Sequence, residues 1–169
     1  MNNLKDLLIS LNACKPAIKW AGDKTIEEVV NECHRGDWLL WLAKRINLPL
    51  KEITLAKAKC AKTVIHLMKD QRSKDAVNKA EEFGLGKCSL EELKYAADAA
   101  ADAAADDAAA YAAAYAAAYA AAYADDAADA AYAAAYAYAR VSNEKQTADI
   151  CREILGSLII NKVNTLINH

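Results

Sequence analysis

One uninterrupted tract of Ala, Tyr and Asp limits what this chain can fold into. Residues 95–139 contain 30 Ala, 8 Tyr and 7 Asp, and no other residue type. Ala has the highest helix propensity, and the larger side chains recur every three or four residues, so the tract predicts helix. Its surface would be methyl groups striped with phenols and carboxylates. Because the tract contains no thiol, histidine or lysine, it favours a contact surface over an active site.

The tract is too long to form a single helix inside one domain. At about 1.5 Å per residue it would span roughly 68 Å, whereas a compact chain of this length has a radius of gyration of about 15–16 Å. The stripe of Asp and Tyr would also drift by roughly 200° around a straight helix. Asp is a favoured N-cap residue, so the doublets Asp106-Asp107 and Asp125-Asp126 are the predicted breaks. We therefore expect two or more closely packed helices.

The residues outside the tract supply most of the core and all of the positive charge. The chain of 169 residues is most simply one domain with a Trp/Leu-rich helical part (1–94), the Ala/Tyr/Asp helices (95–139), and a C-terminal helix with an apolar tail (140–169). The first part carries 17 basic and 13 acidic residues, whereas the tract carries 7 acidic residues and no basic ones. Such an acidic tract should repel nucleic acid and attract a basic protein surface.

Helix-capping signals recur along the chain, and strand signals do not. Thr25 with Glu28, and Ser89 with Glu92, each form the Ser/Thr-x-x-Glu pattern of a capping box. The second capping box begins the helix that enters the Ala/Tyr/Asp tract. The sequence therefore predicts an all-α fold, either a multi-helix bundle or a helical-repeat-like array.

Further helix boundaries can be placed in the Trp/Leu-rich part. Pro16 should open a helix that ends at Gly22. Gly36 should end the helix that begins after Thr25, and Asp37 should then cap a helix from Trp38 to Ile46. A longer helix is predicted from about Lys51 to Met68, with its inward residues being Leu55, Ala58, Val64, Ile65 and Met68. A buried face on the preceding helix is predicted for Trp38, Trp41 and Leu42, which are spaced at i, i+3 and i+4.

The thiols and histidines do not predict a catalytic or metal site. Five widely spaced cysteines and no signal peptide favour reduced thiols in a cytoplasmic protein, and no apolar run is long enough for a membrane span. The pairs Cys33/His34 and Cys60/His66 lack zinc-ligand spacing and a third orienting group. We therefore expect no enzyme, no cofactor and no bound metal.

The tract does predict a protein-binding face. Tyr is enriched among interface anchors, and Asp sets an electrostatic preference for the partner. The alternative is that each Tyr fills the margin of a layered helical core in which Ala supplies little area. The candidate partner-binding residues are Asp98, Asp102, Asp106, Asp107, Tyr111, Tyr115, Tyr119 and Tyr123.

Several blocks of sequence carry a family resemblance. They are Leu11 to Cys14, Ala17 to Trp20, Thr25 to Glu28, Cys33 to Leu42, Lys59 to Ala61, Arg72 to Ala76, Ala80-Glu81 and Ser89 to Ala97, followed by the tract. Together they resemble a family of predicted bacterial immunity proteins that are encoded beside polymorphic toxins. The resemblance covers nearly the whole chain except the apolar tail Ser157 to His169. It implies an all-α fold that neutralises a cognate toxin by binding, with no catalytic residues.

Two functions are favoured over a third alternative, an enzyme that uses Cys33/His34 or Cys60/His66. The first is a cytoplasmic immunity protein that masks a toxin with its acidic Tyr/Asp face, and a basic toxin such as a nuclease would fit the charge. The second is an α-helical scaffold without a toxin partner, which self-associates through its Ala stripes. The product of the adjacent gene and the oligomeric state in solution would distinguish them.

Overall fold

A computed structural model describes residues 3–68, 70–104 and 142–168, and these residues form helices and their connections. The helices are α1 (Leu4–Ser10), α2 (Lys15–Ala21), α3 (Ile26–Glu32), α4 (Gly36–Arg45), α5 (Leu50–Lys62), α6 (Gln71–Gly84), α7 (Leu90–Ala104) and α8 (Ser142–Asn168), with a 3₁₀ turn at Ile65–Leu67. The predicted all-α fold is confirmed. The predicted breaks at Asp106-Asp107 and Asp125-Asp126 lie outside the described residues.

Both predicted capping boxes are present. The Thr25 hydroxyl accepts a hydrogen bond from the Glu28 backbone N–H at 3.2 Å, and the Glu28 carboxylate accepts one from the Thr25 N–H at 2.8 Å. The Ser89 hydroxyl and the Glu92 carboxylate repeat this exchange at 3.2 and 2.7 Å. Each box satisfies two backbone donors that a helix N-terminus otherwise leaves unpaired, which fixes where α3 and α7 begin.

The predicted boundaries of α2 are also confirmed. Pro16 lies in its first turn, where a missing N–H costs no helical hydrogen bond. Gly22 follows its last residue with a φ of 53°, a conformation that glycine adopts without a Cβ penalty.

The prediction that Gly36 ends α3 and that Asp37 caps α4 is wrong. α4 begins at Gly36, and the Asp37 carboxylate accepts two hydrogen bonds from the Arg35 guanidinium, at 2.8 and 2.6 Å, in place of a capping bond. A Cβ on Gly36 would lie 2.8 Å from the Thr147 backbone carbonyl carbon. Gly36 is therefore needed where α4 crosses α8 at short distance, and it does not mark the end of a helix.

The prediction of one helix from Lys51 to Met68 is wrong at its C-terminal end. α5 stops at Lys62, where the Thr63 hydroxyl donates a hydrogen bond to the Cys60 carbonyl at 2.7 Å, and the chain then enters the 3₁₀ turn. Side-chain bonding of Thr to a preceding carbonyl competes with helix continuation. Of the residues predicted to face inward, Ala58 and Met68 are buried, whereas Leu55, Val64 and Ile65 are only partly buried.

A core of large aliphatic side chains joins the two ends of the chain. α8 packs against α3, α4 and α5, and it also contacts α1. We call this region the large-residue core; its fully buried members include Val30, Leu39, Leu40, Leu155, Ile159 and Val163. The tail from Ser157 continues α8 and contributes Ile159 and Val163, so it is an integral part of this core.

A second region is built mostly from small side chains. α6 packs against α5 on one side and against α7 on another. We call these contacts the small-residue layers; their buried members include Ala58, Ala76, Ala80, Ala97 and Ala100, joined by Phe83 and Leu93. Among the described helices, none combines the length and the apolar character that crossing a bilayer requires.

Candidate functional site

The α7 helix has a buried face and an acidic outer face. Its buried residues are Leu93, Ala97 and Ala100, which pack toward α6. The α7 outer face consists of the exposed residues Glu91, Glu92, Lys94, Tyr95 and Asp98. Tyr95 is 79% exposed, although large aromatic side chains normally bury most of their area. This face therefore presents an unburied aromatic ring among carboxylates.

The structure places only part of the predicted partner-binding set. The Asp98 side chain is exposed on the α7 outer face, and Asp102 lies within α7. The remaining predicted residues, Asp106, Asp107, Tyr111, Tyr115, Tyr119 and Tyr123, lie outside the described residues. Tyr95 and Glu91 were not among the predicted residues. Their spacing of three and seven residues from Asp98 is the signal that could have placed them on the same helix face.

The carboxylates of the α7 outer face do not have equal freedom to bind a partner. The Ser89 backbone N–H donates to the Glu92 carboxylate and lowers the pKa of Glu92, because the hydrogen bond favours the charged form. Glu92 is thus engaged in its own helix cap. Glu91 and Asp98 are the carboxylates on this face that can meet an approaching cation without opening the capping box.

An apolar pocket lies at the α1–α4 end of the large-residue core. Its volume is about 370 Å³. The lining residues are Leu8, Ala13, Cys14, Ala17, Trp20, Ala21, Val29, Cys33, Arg35, Asp37, Trp38, Leu39, Trp41 and Leu42. We call this the Trp pocket, because all three tryptophans of the chain line it. The centroids of the Trp20 and Trp38 rings are 5.9 Å apart, and the two ring planes are inclined by 59°.

The predicted buried face of α4 is therefore only partly correct. Leu42 is buried, but Trp38 and Trp41 are partly exposed because they form walls of the Trp pocket. Their i, i+3 spacing correctly places them on one side of the helix. It carries no information on whether the opposing helices fill the space in front of the indoles, so the pocket could not be predicted from this spacing.

The charged side chains around the Trp pocket interact with other groups of the same chain. The Arg35 guanidinium makes a bidentate ion pair with Asp37 and also lies 5.0 Å from the Trp38 ring centroid. The Lys24 ammonium lies 4.8 Å from the Trp20 ring centroid and donates to the Trp20 carbonyl at 3.1 Å. The face of an indole attracts cations, so these contacts hold the positive charges in place.

All five cysteines are free thiols in the structure. Cys14 is exposed, Cys88 is partly exposed, and the other three are buried. The Cys60 and Cys151 sulfurs lie 3.8 Å apart. The hydrogen bond with Cys60, together with burial, raises the pKa of Cys151 well above its usual value, so this thiol stays protonated at neutral pH.

The two Cys/His pairs do not form a shared contact. The Cys33 thiol donates to the Arg35 carbonyl at 3.3 Å, while the neighbouring His34 ring is exposed and packs edge-on against Trp20 at 6.1 Å. Cys60 faces Cys151, and His66 is exposed in the 3₁₀ turn. In the part of the chain that the structure describes, no three His, Cys, Asp or Glu side chains are grouped to hold a metal ion.

Neither the protein-family models, nor the curated proteins, nor the solved structures contain a match to this chain.

Proposed function

We propose that this chain is an immunity protein of the bacterial cytoplasm that neutralises a cognate toxin by non-catalytic binding. The observation that supports the proposal best is Tyr95, which is 79% exposed on a helix face that also carries Glu91 and Asp98. Tyr combines a large contact area with few rotatable bonds, and it is over-represented among the residues that dominate interface energies. The resemblance to predicted immunity proteins supports the same class of function.

The charge of the α7 outer face indicates what kind of partner it would bind. Its three carboxylates exceed its one lysine, and the tract to which Tyr95 and Asp98 belong carries only acidic charge. A complementary partner surface would be basic and would carry an apolar recess for the Tyr95 ring. A nuclease toxin has such a basic surface because it must attract phosphates.

The test is binding to the product of the adjacent gene, with growth rescue when the two are expressed together. Tyr95→Ala should raise the dissociation rate roughly 30-fold, since a central interface aromatic typically contributes about 2 kcal/mol. Asp98→Lys should slow association roughly two- to tenfold at low salt, with a smaller effect at high salt, because it reverses a steering charge.

The matched control is Glu153→Lys, which makes the same kind of charge reversal at an exposed position of α8. It should leave both rate constants unchanged. If neither complex formation nor growth rescue is detected, the proposal is refuted. If binding occurs but Tyr95→Ala and Asp98→Lys leave it unaffected, the toxin binds another surface.

Self-association is the competing function, and the same Tyr95 would then contact a second copy of the chain. Light scattering over a range of concentrations separates the two. A monomer at all concentrations removes the scaffold hypothesis, whereas a dimer that Tyr95→Ala dissociates would favour it over toxin binding.

A further inference from the structure

We propose that the Trp pocket is a binding site for a neutral, planar, apolar small molecule. This site is separate from the α7 outer face and does not depend on the proposed function. Its volume of about 370 Å³ lies within the range of roughly 300–1,000 Å³ that is typical of small-molecule sites.

The walls favour a flat aromatic ligand. Trp20, Trp38 and Trp41 present indole surface to the pocket, and the Trp20 and Trp38 rings are inclined rather than stacked on each other. Ring systems prefer offset or edge-to-face contacts with centroids about 4.5–7 Å apart. A planar ligand can make such contacts with more than one indole at once.

The pocket is formed before any ligand binds. Its base consists of Ala21, Val29, Leu39 and Leu42, which are buried members of the large-residue core. These residues come from three different helices that the core already holds together. Little ordering would therefore accompany binding, which removes a cost that loop-built sites incur.

The charges at the pocket favour a ligand without charge. Arg35 and Asp37 neutralise each other through two hydrogen bonds, and both side chains are mostly buried. A charged ligand would have to compete with this ion pair or enter unpaired, and an unpaired charge in an apolar site is strongly unfavourable. A neutral molecule avoids both.

The same chemistry argues against a peptide as the occupant. Ten of the fourteen lining residues belong to helices, whose interior backbone N–H and C=O groups are paired within each helix. The side chains that line the pocket are predominantly apolar. A peptide backbone inserted here would leave its own N–H and C=O groups with few partners, whereas an apolar aromatic molecule carries no strong hydrogen-bonding group to satisfy.

The three tryptophans make the site observable by intrinsic fluorescence, since no tryptophan lies elsewhere in the chain. The probe is p-nitroanisole, a neutral planar arene whose nitro group quenches indole emission. The charged comparators are 4-nitrobenzoate and 4-nitrobenzylammonium. We expect saturable quenching, with the neutral probe bound at least about tenfold more tightly than either ion, because burying an unpaired charge costs more than the ~1.4 kcal/mol that corresponds to tenfold.

Cys14 offers a way to block the pocket without altering the core, because it lines the pocket and is exposed. In a Cys88→Ser background, alkylation of Cys14 with N-ethylmaleimide should weaken p-nitroanisole binding at least tenfold. The matched control carries Cys14→Ser in addition and receives the same treatment, which should change nothing.

A second variant, Ala17→Leu, adds side-chain volume at a partly buried lining position and should weaken binding in the same direction. Circular dichroism establishes whether each protein remains helical. The binding result is judged on the proteins that do. Non-saturating quenching of equal strength for all three probes would overturn the proposal. So would saturable binding that neither Cys14 alkylation nor Ala17→Leu reduces.

Discussion

The large-residue core and the small-residue layers solve the same packing problem with different side chains. In the core, Leu, Ile and Val of α3, α4 and α8 meet, and each buries a large apolar area. In the layers, Ala76 of α6 faces Ala97 and Ala100 of α7, and each side chain buries only a methyl group. Because stabilisation by burial scales with apolar area, the core should contribute more per residue than the layers.

Close approach of helices is common to both regions and does not explain this difference. A Cβ on Gly36 would lie 2.8 Å from the backbone of α8, and a Cβ on Gly84 would lie 2.6 Å from the Leu55 Cβ on α5. Each region therefore has a glycine where helices cross at short distance, and the large-residue core has a second close approach at Gly156, where a Cβ would lie 3.1 Å from the Val30 side chain. What differs is the size of the side chains around the crossing, and this difference can be tested by changing that size in opposite directions.

The largest effect should come from removing volume in the large-residue core. Leu155 is fully buried at 0% exposure, so Leu155→Ala removes buried area and leaves a cavity. We expect a loss of about 2–5 kcal/mol in the free energy of unfolding. Urea denaturation followed by circular dichroism measures it. Leu166→Ala on the same helix is the control, because Leu166 is 36% exposed, and it should cost much less.

An intermediate effect should come from adding volume to the small-residue layers. Ala76 is at 0% exposure opposite two other alanines, so Ala76→Leu would force α6 and α7 apart. We expect a loss of about 1–3 kcal/mol from overpacking. Asn78→Leu introduces the same side chain at an exposed position of α6 and should stay within about 0.5 kcal/mol of the parent. Equal stability of the two variants would mean that the α6–α7 contact can expand freely.

The smallest effect should come from the two capping boxes, which are alike in geometry but serve different regions. Thr25→Ala removes the hydroxyl that caps α3, and Ser89→Ala removes the one that caps α7. Each should lower the free energy of unfolding by about 1 kcal/mol. Both are measured by the same urea titration. A much larger loss for one variant would indicate that its cap carries tertiary contacts beyond its own helix.

The sequence predicted best what depends on local chemistry. The capping boxes at Thr25 and Ser89, Pro16 in a first turn and the end of α2 at Gly22 each follow from interactions within about four residues, and all are observed. The all-α class follows from the same local signals. Such features need no knowledge of the distant chain.

The predictions from sequence were wrong where contacts with a distant part of the chain determine the local structure. Gly36 looked like a helix stop, but its missing side chain makes room for Thr147, more than a hundred residues away in the chain. Trp38 and Trp41 looked like core residues, and only the arrangement of α1, α2 and α3 leaves a pocket in front of them. Of the predicted binding face, Asp98 is exposed as expected, while its role in binding stays a prediction.

Arg152 on α8 has a consequence for how the chain is made. Its guanidinium donates to the carbonyls of Val30 and Cys33 at 2.9 and 2.7 Å, and so satisfies the end of α3 from a position about 120 residues later in the chain. While the ribosome is still synthesising the acidic tract, α3 has no such partner and its apolar face has no α8 to cover it. Contacts of this sequence separation form late and slow folding. The N-terminal helices therefore keep apolar surface exposed until α8 has been synthesised, which makes α8 the element that completes their fold.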